Sequence, residues 1–149
     1  GYLERQLQGW QKRYCQVKTK DVPSTDDIFQ WLTIHLPAPT HPHAFIHNDY
    51  KFDNLLINKQ CEIIGVLDWE MATLGDPLLD LGCSLAYWIE ANDSESLQNL
   101  RMMPTHLPGM LSRQQIFDQY CQRRQFTSQP FKPYYVFGLF RLAVIAQQI

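Results

Sequence analysis

Three oxygen-bearing side chains in this sequence are spaced for phosphoryl transfer. In the run Phe45-Ile46-His47-Asn48-Asp49-Tyr50-Lys51-Phe52-Asp53-Asn54-Leu55-Leu56, a carboxylate at Asp49 is followed by the carboxamide of Asn54. A second carboxylate, Asp68, closes the next apolar segment in Val66-Leu67-Asp68-Trp69-Glu70. Moving a phosphoryl group onto an alcohol requires that the alcohol's proton be accepted and the phosphate charge be neutralised by metal. Asp49 is the candidate base or alcohol-orienting group. Asn54 offers a neutral oxygen and Asp68 a charged one, a donor pair that suits a hard cation such as Mg²⁺. His47 is expected to orient the loop by hydrogen bonding, without proton chemistry of its own. Lys51, two residues after Asp49, is either a charge that reaches the transferring phosphate or a solvated loop lysine. Taken singly, Asp and Asn are ordinary turn residues; the specificity lies in the constellation.

The elements that must position these groups follow from periodicity. Leu3, Leu7, Trp10, Tyr14 and Val17 recur at helical spacing and predict an amphipathic helix over about 2–18. Ser24 or Thr25 can cap a second helix carrying Ile28, Phe29, Trp31 and Leu32. The segment Pro37-Ala38-Pro39-Thr40-His41-Pro42 stops helix and forces an extended loop. Two short β-runs, Leu55–Ile57 and Ile63–Leu67, joined by Asn58-Lys59-Gln60, read as a hairpin that folds the chain back so that Asn54 and Asp68 can share one ion. Gly75-Asp76-Pro77 is a turn into a largely apolar helix over about 77–90, with Asp76 as N-cap and Pro77 at its first position. Residues 92–110 read as loop, Ser112 with Gln115 as a capping box for a helix through Arg124, and a last apolar helix runs from near Pro133 to Ile149.

Several further side chains carry an expectation. Asp80 sits inside the apolar helix that Asp76 caps, where a carboxylate demands partners; backbone N–H groups of the Asp49 loop are the expected ones, so Asp80 and Asp76 are assigned structural support of that loop. Asp53 and Glu70 are expected at the surface. Tyr87, Trp88, Tyr134 and Tyr135 are candidates either for the wall of an acceptor pocket or, more simply, for the core. His41-Pro42-His43 with His47 raises a metal-dependent hydrolase as an alternative, although Pro42 and the extended run aim the imidazoles apart.

Composition bounds the rest. At 149 residues, 45% hydrophobic and 13% aromatic, the chain can bury one domain-sized core. A net charge of −2 without a Lys/Arg run gives no footprint for nucleic acid. No apolar stretch approaches the roughly 20 residues that span a bilayer. The four cysteines lack metal or disulfide-framework spacing and read as free thiols, which with a nucleotide-using reaction suggests a cytoplasmic location.

At His47-Asn48-Asp49 with Asn54, Leu67-Asp68-Trp69, and Gly75-Asp76-Pro77 through Asp80-Leu81, the chain resembles the aminoglycoside phosphotransferase and choline kinase family, the small-molecule branch of the protein-kinase-like fold. Trp10-Gln11-Lys12-Arg13-Tyr14, Trp31-Leu32 and Ala146-Gln147-Gln148 are similar to the branch fused to, or encoded beside, acyl-CoA dehydrogenases. The resemblance implies an α+β, mostly helical kinase-like C-terminal lobe with a small central β-hairpin. It further implies ATP and Mg²⁺ as cofactors, Asp49 as base, Asn54 and Asp68 as metal ligands, and a small-molecule hydroxyl acceptor, with a hydroxylated acyl-CoA as one candidate. Lys51 stands where many drug-modifying relatives have His, which argues against an antibiotic acceptor. Trp69-Glu70 after Asp68, and the short stretch before the next buried helix, leave no room for the activation segment of a protein kinase.

A kinase-like site also needs an N-terminal β-lobe with a phosphate-covering loop and a strand lysine. The seven glycines form no Gly-rich loop, and helix begins almost at residue 2. The expectation is a catalytic lobe alone, whose partner in cis is a missing N-terminal lobe, and which binds Mg-ATP poorly and turns over little by itself. An apolar face left where that lobe docks would favour a homodimer. The alternative to an enzyme is a kinase-like module that binds without catalysis.

Overall fold

The computed structural model describes residues 1–127 and 129–148. Six helices, α1 (Tyr2–Val17), α2 (Asp26–His35), α3 (Pro77–Ala86), α4 (Glu95–Asn99), α5 (Arg113–Arg124) and α6 (Phe131–Ala146), surround two small ladders among the described residues. Strands β1 (Ala44–Ile46) and β4 (Thr73–Gly75) pair antiparallel, as do β2 (Leu55–Ile57) and β3 (Ile63–Val66). The fold is therefore mostly helical, with one ladder more than the hairpin read from sequence.

The predicted periodicity is what buries α1: Leu3, Leu7, Trp10 and Tyr14 face inward. In α2 the Ser24 hydroxyl accepts from the Asp26 N–H, while Thr25 donates to the Gln11 side chain and ties the helix to α1. Asp76 caps α3 by accepting from the Leu78 N–H at 2.8 Å, and Pro77 occupies the first helical position, where a missing N–H costs nothing. Ser112 and Gln115 form the capping box that starts α5.

The core lies where α3 crosses α6. Leu32, Leu78, Tyr134 and Val144 have no exposed surface, and each such apolar side chain contributes roughly 1.5–3 kcal/mol by leaving water. Gly82 and Gly138 meet at the crossing, so the two backbones touch. A Cβ on Gly138 would stand 2.1 Å from the Gly82 carbonyl oxygen, and one on Gly82 2.3 Å from that of Tyr134. Only glycine fits at either position.

Four details differ from the sequence reading. Helix α3 ends at Ala86 rather than near 90, because the Thr105 hydroxyl takes the Ile89 N–H and donates to the Ile89 carbonyl in place of helical partners. The expected loop over 92–110 contains the short α4. Helix α6 begins at Phe131, which leaves Pro133 in the first turn, where a proline is tolerated. It ends at Ala146, and Ile149, the expected end of that helix, lies outside the described residues.

Candidate active site

The loop between β1 and β2 and the turn after β3 meet because the β2–β3 pairing continues one step past the strands: the Leu67 N–H donates to the Asn54 carbonyl at 2.8 Å. Register Leu55↔Val66 then places Asn54 beside Leu67, and Asp68 next in line. Both Asn48 (φ 66°) and Asp68 (φ 63°) are left-handed, a conformation that costs a non-glycine residue about 1–2 kcal/mol and that Asn and Asp tolerate best. One of these residues thus precedes Asp49 and the other is itself a candidate ligand, the kind of position at which backbone strain often collects.

Asp80 supports the first of these loops directly. One turn into α3, its carboxylate accepts from the backbone N–H of His47 at 2.9 Å and of Asn48 at 2.8 Å. His47 is buried and bridges the two loops: its Nε2–H donates to the Leu67 carbonyl at 2.7 Å, and its Nδ1 accepts from the Asp49 N–H at 3.2 Å. Those partners fix the neutral Nε2–H tautomer and occupy both ring nitrogens, which leaves none for proton transfer. Asp76 touches neither loop by hydrogen bonding among the described residues. It caps α3 and pairs with the His41 Nε2 at 2.9 Å, so its support of the site passes through the helix that carries Asp80.

Asp49 has its two carboxylate oxygens in different situations. Oδ2 accepts from the Asn54 amide at 3.1 Å and pairs with the Lys51 ammonium at 3.1 Å; Oδ1 has only the Tyr87 hydroxyl at 3.4 Å. Lys51 is not the solvated lysine of the simpler expectation. Partial burial works against its charge, but the Asp49 contact outweighs this and holds it above the ordinary lysine range; its ammonium also lies 5.2 Å from the Tyr87 ring centre. Tyr87 is raised by burial first and by the Asp49 charge second, so it stays a neutral donor near pH 7.

The two expected metal ligands offer free oxygens. Asn54 spends its amide N–H₂ on the Asp49 carbonyl (2.8 Å) and carboxylate, which turns its Oδ1 away as an unused acceptor. The exposed Asp68 carboxylate has no hydrogen-bond or ion-pair partner among the described residues. A neutral and a charged oxygen fit a hard cation that completes its shell with phosphate and water, as Mg²⁺ does.

Asp53 and Glu70 are exposed. Of the four aromatic candidates, Tyr87 alone contacts Asp49; Trp88 packs edge-on against Phe52, Tyr134 is core, and Tyr135 accepts from Arg113. The three imidazoles diverge: His41 goes to Asp76, His43 packs against Tyr2, and His47 goes to Leu67. Among the described residues no group of three or more His, Cys, Asp or Glu side chains could hold a metal, so the hydrolase alternative has no zinc site here. Sequence reasoning did not single out Arg141, a lone arginine in the apolar helix α6 that is 4% exposed. No helix among the described residues is long and apolar enough to cross a membrane.

Comparison with known proteins agrees with the fold. Residues 1–112 match the model of the phosphotransferase enzyme family, APH. The mouse acyl-CoA dehydrogenase family member 10 is 32% identical over 99% of this chain, which spans 14% of that protein's length. The human acyl-CoA dehydrogenase family member 11 is 32% identical over the whole chain, which spans 19% of it. Among solved structures, a provisionally assigned aminoglycoside phosphotransferase from Ralstonia eutropha superposes with a TM-score of 0.76 at 27% identity, over 99% of this chain and 45% of that one. The chain belongs to the phosphotransferase enzyme family.

Proposed function

We propose that this chain is the catalytic lobe of an ATP- and Mg²⁺-dependent phosphotransferase that acts on a hydroxyl group of a small molecule. The observation that carries the reading is the asymmetry of Asp49. One oxygen is fixed by Asn54 and Lys51, and the other is left to face an incoming hydroxyl beside Tyr87. In this reading Asp49 Oδ1 accepts the acceptor's hydrogen bond, orients the alcohol and takes its proton as the new O–P bond forms. Lys51 pairs with the aspartate and adds positive charge at the edge of the site. His47 and Asp80 hold the loop still. Asn54 Oδ1 and Asp68 would hold the Mg²⁺, which neutralises phosphate charge when bound.

The N-terminal nucleotide lobe is assigned to polypeptide outside this chain, in keeping with the 45% coverage of the solved relative. Apolar side chains exposed along both ladders, Phe45, Leu56, Ile63 and Leu74 among them, supply a surface for it. The relatives that carry an acyl-CoA dehydrogenase name make a hydroxylated acyl-CoA the first acceptor to try.

The test is acceptor-dependent ADP release by the full-length gene product, with hydroxyacyl-CoAs, amino alcohols and aminoglycosides as acceptors. Asp49→Asn should lower turnover by about 10²–10⁴-fold without unfolding the protein. Turnover that survives the substitution removes Asp49 from its role, and tight Mg-ATP binding by the 149-residue chain alone overturns the separate nucleotide lobe.

A further inference from the structure

Arg141 is 4% exposed, yet no carboxylate pairs with it among the described residues, and the hydrogen-bonding partner its guanidinium finds is the Cys83 thiol, which carries no counter-charge. An arginine cannot shed its charge, and a buried charge without a counter-charge is strongly unfavourable. Its neighbours do not resolve this. The guanidinium lies 5.2 Å from the Trp10 ring centre and beside the Cys83 thiol, which burial pushes up into the neutral form although Arg141 pulls it down.

The side chain instead lines a cavity of about 190 Å³. A second guanidinium, Arg13, stands 4.5 Å from the centre of the same Trp10 ring and lines the same cavity. Gln6 and Asn48 add amides, and no Asp or Glu is among the lining residues. Two positive charges, with no negative one on the wall, make a receptor for an oxyanion, which arginine grips through paired N–H donors. The cavity's volume is below the roughly 300 Å³ of a pocket for a whole drug-sized ligand, so it suits one headgroup of a larger molecule.

Its location gives that headgroup a use. Asn48 precedes Asp49 and holds the Met71 carbonyl through its amide at 2.9 Å; both residues form the cavity's loop-side wall. Cys83 lies in α3 and Tyr87 just past its last residue, one turn on; Arg141 acts electrostatically on both while Tyr87 touches Asp49. We infer that Arg141 and Arg13 form an oxyanion subsite beside the Asp49 loop, and that the hydroxyl acceptor of this protein is itself an anion, a carboxylate or a phosphate ester. The inference rests on the phosphotransferase reading for the word acceptor, but not for the subsite. Cationic amino sugars and amino alcohols are disfavoured there by like charge.

Calorimetry on the full-length protein with inorganic phosphate tests the subsite, and kinetics test its use. The kinetic arms are β-hydroxybutyrate against its neutral methyl ester, and glycerol phosphate against glycerol; the arm that responds says whether carboxylate or phosphate is read. Arg141→Gln should weaken phosphate binding and raise KM for the anionic member by at least about 10-fold, with kcat and the neutral member little changed. Arg141→Lys should recover part of the loss. Arg13→Gln, at an exposed position, should repeat the effect more weakly and keeps the test valid where the buried substitution impairs folding. Phosphate binding that the arginine substitutions weaken supports the subsite even where the wild-type protein turns over no acceptor, an outcome that sinks the phosphotransferase reading alone. Equal phosphate affinity in wild type and both arginine variants, or equal use of charged and neutral acceptors, overturns the subsite.

Discussion

At Gly82 and Gly138 two helix backbones are in contact and no atom can be added, whereas at Gly65, in β3, a new Cβ would meet only the half-exposed side chain of Leu56, at 3.3 Å. The same residue type is compulsory at the helix crossing and incidental in β3. Around α3 and α6 the chain is apolar, unstrained and tightly packed. Around the two ladders it is short-stranded and left-handed at Asn48 and Asp68, with apolar side chains in solvent. The helical half supplies the packed core and the ladder half carries the candidate reactive groups. A single carboxylate, Asp80, is rooted in the first and bonded to the second.

The sharpest way to break this comparison is Gly138→Ala. Alanine gains about 1 kcal/mol in helix propensity, but forcing α3 and α6 apart should outweigh it and leave a net loss of about 3 kcal/mol in denaturant unfolding. A loss under about 1 kcal/mol would show that the crossing is looser than its geometry. Next in size is Asp80→Asn. An amide can satisfy only one of the two loop N–H groups and points its own donors at the other, so stability should fall by about 2 kcal/mol. Hydrogen exchange should quicken at the His47 and Asn48 amides while α6 keeps its protection; uniform exchange across both regions would mean that Asp80 belongs to the core and not to the loop. The smallest effect is expected at Gly65→Ala, within about 0.5 kcal/mol of wild type, since only an exposed leucine side chain must move. A loss comparable to that at Gly138 would erase the contrast.

The helical half was the more legible in sequence, because its elements announce themselves locally. The α1 stripe, the Asp76-Pro77 start of α3 and the Ser112–Gln115 box each need fewer than a dozen residues to read. The β1–β4 ladder was not legible. Its two strands are three residues long, lie far apart in sequence and expose Phe45 and Leu74, so neither alternation nor a turn signal marks them. The end of α3 was missed for a related reason: Trp88 and Ile89 continue the apolar pattern, and what stops the helix is a threonine sixteen positions away. At the site, the spacing of Asp49, Asn54 and Asp68 was readable because one hairpin sets it. The unequal oxygens of Asp49 depend on Tyr87 arriving from the end of α3, and the lack of a counter-charge for Arg141 is a property of its surroundings. Periodicity says nothing about either.

Leu67 shows how such a site can be hidden from anyone reading side chains. Its carbonyl receives the His47 ring and its N–H reaches Asn54, so both of its main-chain groups clasp the reactive loop, while its side chain is 45% exposed. The information at position 67 is written in the peptide unit rather than in the leucine. Selection there would be nearly blind to the nineteen ordinary choices yet intolerant of proline, whose nitrogen has no hydrogen to give. The residue that joins the two halves of the site is thus free to drift in identity while remaining fixed in function.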